Sequence, residues 1–353
     1  MTHRRWMLVW GSVALLVSLS ACSVISPDSW LVAPIEFDNA LDDDALDGGV
    51  DDRIDVTYSM ANITADTAGG FWTESAGSWL HLDRNGDTRS RFNDEGFSTV
   101  HGISAVSPTN LVVSRTDRVD AVGSGTGIFR FDTQAGTWTR VEVDATSIGD
   151  VVAEVDGRIV FVDFLGGTVP GVFGDLSGSD QPKPFAIRAI DASGRQTTVL
   201  GAESGLAATA VAIDADSTGT VYISTDREAF TISVDGTPTS LGTHSNRVPV
   251  LAVSPAGEVL VGSSTAAETT DLAWTLVRGS SKARDVMADK GDCSRSADGG
   301  LAILQAGQPT GLPFSCGTKA AVWVTDTTFV LAIGDEAGTI LVRVTPPRSD
   351  SDR

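Results

Sequence analysis

Three cysteines, four histidines and several clustered carboxylates are the residues of this 353-residue chain best suited to chemistry. Cys293 and Cys316 stand just over 20 residues apart. Neither belongs to a C-x-x-C pair, and the histidines form no H-x-x-x-H, so a metal pair or a catalytic thiol lacks the neighbours it requires. A disulfide is the favoured reading, and closing that loop would contribute roughly 3 kcal/mol by restricting the unfolded chain. "DRNGD" from Asp83 offers the first three ligand positions of an EF-hand-type calcium loop. Thr88 stands where that loop needs Gly and Asp94 where it needs Glu, and Asn-Gly is explained by a hairpin turn. Asp42-Asp43-Asp44 reads as a solvated acidic run before it reads as a weak calcium site. No nucleophile elbow, phosphate loop or zinc motif is present. No cofactor is therefore expected, with Ca2+ the one candidate.

The third cysteine has a different setting. Arg4-Arg5 precede an apolar run from Trp6 to Leu19, shorter than the roughly 20 residues of a membrane span. The run ends in "LSAC", Leu19 to Cys22, which resembles the lipobox of bacterial lipoproteins. That resemblance implies removal of a signal peptide, residues 1–21, and a diacylglycerol on the Cys22 sulfur with palmitate-type acyl chains. Cys293 and Cys316 would then be an even pair in an exported, disulfide-permissive compartment.

The net charge is −21, and loss of Arg4 and Arg5 with the signal leaves −23. Such a surface repels nucleic acid and anionic headgroups, so attachment through lipid alone is expected and no nucleic-acid partner. Residues 22–54 contain "DNALDDDALDGGVDD" and have the composition of a disordered acidic tether. Common Asp, Thr, Ala and Arg with scarce Lys suggest a high-GC bacterium, and the expected place is the cell envelope, outside the cytoplasmic membrane.

The elements that would position any site are strands. "WLHLDRNGDTRSRF" at Trp79, "IFRFDTQAGTWTRVEV" at Ile128, "AIRAIDASGRQTTVL" at Ala186, "FTISVDGTPTSL" at Phe230 and "LAILQAGQPTGL" at Leu301 share one design: strand, Gly turn, strand. A sixth half-copy, "ILVRVTP", starts at Ile340. Each is preceded by another strand pair, as in "VLAVSPAGEVLVGS" at Val250. Four strands, A to D, repeated at about 40 residues read as a β-propeller blade. The chain resembles six-bladed propellers of the NHL and gluconolactonase-like kind. The expectation is an all-β, six-bladed propeller over residues 55–346, with seven blades as the alternative and a polar tail at 347–353. "DVTYSM", Asp55 to Met60, is expected to supply the strand D missing from the last blade.

In propellers the B–C and D–A connections emerge at one face and the A–B and C–D turns at the other. The long excursions fall in B–C positions of blades 2, 3 and 5, and loops of that length tend to carry function. The candidate binding residues at that rim are His101, Arg115, Asp117, Arg118, Asp163, Asp226 and Arg247, with Trp274 as a contact aromatic. No catalytic or metal-ligating set can be assigned. The expected role is an envelope-tethered protein that binds a protein, peptide or glycan at this face. The alternative is a tethered lactonase-like hydrolase or sugar dehydrogenase working at the central channel.

Overall fold

The computed structural model describes residues 30–35 and 63–347, apart from 76–77, 94–98, 117–125, 146, 155, 167–180, 234–235, 244–248, 264–273, 277–299, 306–307, 313–314 and 336–337. Its strands form six sheets, antiparallel within each blade, that succeed one another along the chain. Blade 1 comprises Ile63–Ala65, Phe71–Ser75, Ser78–Leu82 and Thr88–Asn93. Blade 2 follows with Thr99–Ser107, Asn110–Thr116, Thr126–Asp132 and Thr137–Val141, and blade 3 with Ile148–Ala153, Ile159–Phe164, Lys183–Ile190 and Gln196–Leu200. Blade 4 is Val211–Ala215, Val221–Thr225, Glu228–Ile232 and Pro238–Thr243. Blade 5 is Leu251–Val253, Val259–Ser263, Gly300–Gln305 and Gln308–Gly311. Blade 6 takes Thr318–Thr325, Thr328–Asp335 and Gly338–Thr345 from the end of the chain.

The period-2 alternation of strand side chains explains why sheets so apolar stack face to face. In the second strand of blade 3, Ile159 and Phe161 join a cluster with Val112 and Ile128 of blade 2. Val160, Val162 and Phe164 turn the other way, into a cluster with Ile213, Ile223 and Phe230 of blade 4. Among the described residues, each pair of neighbouring blades shares one such cluster, including blade 6 with blade 1 through Val322, Val330, Ile63 and Phe71. The ring is closed, and the protein is a six-bladed β-propeller.

The closing strand is not the expected one. Trp30–Ile35 pairs antiparallel with Gly338–Thr345, with Leu31 opposite Thr345 and Ile35 opposite Leu341. This corrects the reading of 22–54 as disordered throughout: "WLVAPI" buries Val32 to 1 % exposure against Trp323, Phe329 and Leu331. It has the apolar surface an outer strand needs, whereas the acidic run after it does not. Asp55–Met60, expected in that place, lies outside the described residues. Trp274–Leu276, from the blade 5 excursion, then adds in parallel to Trp30–Val32 as a fifth strand.

One turn recurs around the ring. In Asp83–Asp87, Glu154–Arg158, Asp191–Arg195, Asp216–Thr220, Ser233–Thr237 and Ser254–Glu258, the first N–H bonds the fifth carbonyl and the fourth N–H bonds the first carbonyl, and Asp66–Gly70 shares the first of these bonds. The fourth residue is always Gly with φ between 80° and 96°. That left-handed conformation costs other residues about 1 kcal/mol or more. These turns close the A–B and C–D connections and make one end of the propeller tight. At the other end, the B–C connections 117–125, 165–182 and 264–299 are long, as expected from the sequence.

Candidate functional site

The innermost strand of each blade leaves one edge unpaired along the central channel, and its backbone N–H groups need acceptors. Side chains from the preceding blade supply them. Thr64 Oγ1 accepts from Ala105 N at 3.2 Å and Ser104 Oγ from Ala153 N at 2.9 Å. Asp150 Oδ2 accepts from Ile213 N at 2.9 Å, and Asp214 Oδ2 from Val253 N at 2.7 Å. The other oxygen of each Asp accepts from the next N–H in its own strand, Val151 or Ala215, at 2.8 Å. Between blades 5 and 6 the direction reverses: Trp323 Nε1 of blade 6 donates to the Ala252 carbonyl of blade 5 at 3.2 Å.

These strands surround a cavity of about 190 Å³ lined by Asp150, Asp214 and Lys319 among mostly apolar neighbours. Burial pushes the Asp150 carboxyl up to about 7, against its backbone hydrogen bonds and with the Asp214 charge adding to the rise. Burial raises Asp214 to about 7 as well, helped by the charge of Asp216. A bulge in the first strand of blade 3 places Asp150 against Gly102 of blade 2, where a Cβ would stand 2.1 Å from its Oδ1. The sequence-derived residues did not include these carboxylates. The available signal was a carboxylate inside an otherwise apolar first strand, in "IGDVVA" and "VAIDA". Among the described residues, no three His, Cys, Asp or Glu side chains converge as a metal site.

A second polar cluster brackets the A–B turn of blade 1. Asp66 Oδ1 accepts from the N–H groups of Ala68 and Gly70, both at 2.7 Å, and Oδ2 meets His81 Nε2 at 2.6 Å. The His81 ring stacks on Trp72 with centroids 4.4 Å apart. Burial raises the Asp66 carboxyl, but the contact with His81 and the two turn N–H bonds outweigh it and leave the group below its ordinary value.

The residues expected at the excursion-bearing rim are dispersed over several blades. His101 sits in the first strand of blade 2, with Nε2 2.7 Å from Thr116 Oγ1. Its Nδ1 is buried with no hydrogen-bond partner among the described residues, and burial pulls the imidazole down to about 4. The Arg115 guanidinium lies over Phe129 at 4.5 Å and Trp138 at 4.1 Å within the same blade. Asp163 is fully buried; Oδ2 is 2.8 Å from Arg188 Nη2, and Oδ1 accepts from Ser147 N at 3.2 Å. Asp226 accepts from Thr209 N at 3.4 Å and lies 3.7 Å from Arg227 Nε. Trp274 pairs with Trp30 at the edge of blade 6. Asp117, Arg118 and Arg247 lie outside the described residues, as do Cys22 and Cys293. In "DRNGD", Asp83 Oδ1 caps its own turn by accepting from Asn85 N at 2.7 Å and Asp87 N at 3.1 Å.

No protein-family model and no curated protein sequence matches the chain. Among solved structures, a Bacteroides thetaiotaomicron protein of unknown function is similar with a TM-score of 0.50 at 10 % identity, covering 90 % of this chain and 76 % of its own. A gluconolactonase from Xanthomonas campestris is similar with a TM-score of 0.47 at 14 % identity, covering 82 % of this chain and 88 % of its own. At such identities the likeness is one of fold alone.

Proposed function

We propose that this protein is a lipoprotein of the bacterial cell envelope, held on the outer side of the cytoplasmic membrane through Cys22. It binds a protein, peptide or glycan at the B–C/D–A face of its propeller. The observation that carries this reading is the contrast between the two ends of the ring. One is sealed by repeated five-residue turns, and the other carries B–C connections of up to 36 residues, 264–299. Connections of that length are more often functional than decorative. A Cys293–Cys316 disulfide pinning the blade 5 excursion belongs to the same reading. Its support is that Cys316 is 1 % exposed and lies in the connection between blades 5 and 6.

A tethered hydrolase or sugar dehydrogenase acting at the channel has less support. Both oxygens of Asp150 and of Asp214 are engaged by backbone N–H groups. The test uses photo-crosslinking side chains in living cells, at exposed Ser204 and Arg227 on the excursion-bearing face and at Gln134 and Ala192 on the turn face. Crosslinked envelope products from the first pair and none from the second support the reading. Products from the second pair alone overturn it.

A further inference from the structure

The first residue of the closing strand shows from which end the N-terminal segment enters the ring. Leu31 pairs with Thr345 and Ile35 with Leu341, so the chain enters where the strand Gly338–Thr345 finishes, at the A–B/C–D turn end. A separate contact confirms that this is the turn end. Arg343 Nη1 donates to the Arg84 carbonyl at 2.8 Å and to Asn85 Oδ1 at 3.1 Å, both in the C–D turn of blade 1.

Covalent geometry then limits the tether. Eight peptide steps separate Cys22 from Trp30. At about 3.3–3.6 Å each they reach under ~30 Å when fully extended. Presenting the opposite end to the bilayer would require the chain to run back beside its own six-residue strand, about 20 Å. Less than roughly 10 Å would remain to reach the lipid.

Charge favours the same orientation on independent grounds. Residues 36–62 join Ile35 to Ile63, and both of those residues lie at the B–C/D–A end. That connection carries nine acidic side chains against Arg53 alone. An anionic leaflet repels such a segment within about a Debye length of its surface.

We propose that the propeller stands on the membrane with its A–B/C–D turn face toward the bilayer and its B–C/D–A face outward. This rests on lipidation of Cys22 and adds a direction to it. The sealed end becomes the base, and the long connections are presented to partners approaching from outside the cell.

The test uses full-length protein from a lipidating host, reconstituted in phosphatidylglycerol–phosphatidylethanolamine vesicles with an energy acceptor on the headgroups. Single variants Gln134→Cys and Ala192→Cys, in C–D turns of blades 2 and 3, and Ser204→Cys, in the D–A connection of blade 3, each carry a maleimide donor. All three positions are exposed. Transfer at least twofold stronger from positions 134 and 192 than from 204 is expected. Equal transfer from all three, or the reverse order in vesicle-bound protein, overturns the orientation. Protein that lacks the diacylglycerol mass and does not float with vesicles overturns the lipidation reading and the orientation together. That result is distinguishable because no position then shows transfer.

Discussion

Trp30 and Trp274 are Cα partners in a parallel pair at the outer edge of blade 6, although 243 residues of chain lie between them. The strand that closes the ring is thus flanked on both sides, by Gly338–Thr345 within and by the blade 5 excursion without. An outer strand left uncovered offers unpaired N–H and C=O groups to other chains, and this pairing covers its first half. It also means that one long connection is not confined to the rim from which it leaves.

The closing strand should be essential to stability. Val32 is 1 % exposed and packs among Trp323, Phe329 and Leu331. Val32→Ala should cost about 2 kcal/mol, from lost burial and the cavity left behind. Urea unfolding should show a lower midpoint with an unchanged slope.

The channel carboxylates should make stability depend on pH with an unusual sign. Asp150 and Asp214 ionise near 7 in the folded chain and near 3.8 when unfolded. Between those values the folded state holds more protons, so stability is greatest below about 4 and falls as pH rises through 7. The slope is about 1.4 kcal/mol per pH unit for each group. His101, pulled down to about 4 from 6.5, acts oppositely between those two values, because there the unfolded chain binds the extra proton. Measuring wild type against Asp150→Asn isolates one group. The variant should gain on wild type steadily from pH 4 to 7, and a constant difference would contradict the assignment.

Two glycines should separate conformational strain from collision. Gly194 has φ 85° with open space where a Cβ would go, so Gly194→Ala should cost only about 1 kcal/mol. At Gly102 a Cβ would meet Asp150 Oδ1 at 2.1 Å and Val151 N at 2.7 Å. Gly102→Ala must therefore push blade 2 away from blade 3, and thermal unfolding should show several times the loss.

Asp163 should act in folding and leave binding untouched. It is fully buried against Arg188 Nη2 at 2.8 Å, with Arg188 itself 24 % exposed. Asp163→Ala should cost about 3 kcal/mol by leaving that guanidinium without its carboxylate. Capture of envelope partners by the remaining folded protein should match wild type.

The blades were legible in the sequence because their determinants are local. A period-2 run such as "IVFVDF" and a turn such as "DASGR" declare themselves within a few residues of each other. Trp30–Ile35 had no such declaration, since its partner lies over 300 residues away and Pro34 argued locally against a strand. The channel was hidden for a related reason. Asp150 and Asp214 were visible as residues, but the N–H groups they hold are 63 and 39 positions distant. Asp163 shows the converse: a carboxylate near a strand end reads as a solvated rim residue until the neighbouring strand places Arg188 beside it.

The closing strand is the earliest part of the propeller to leave the ribosome, and Gly338–Thr345, its partner, is among the last. The ring therefore has no complete state until Gly338–Thr345 has been made. Until then Trp30–Ile35 lacks its antiparallel partner, and the loop that pairing must close is the longest in the molecule, slow to form even though its entropic cost grows only logarithmically with length.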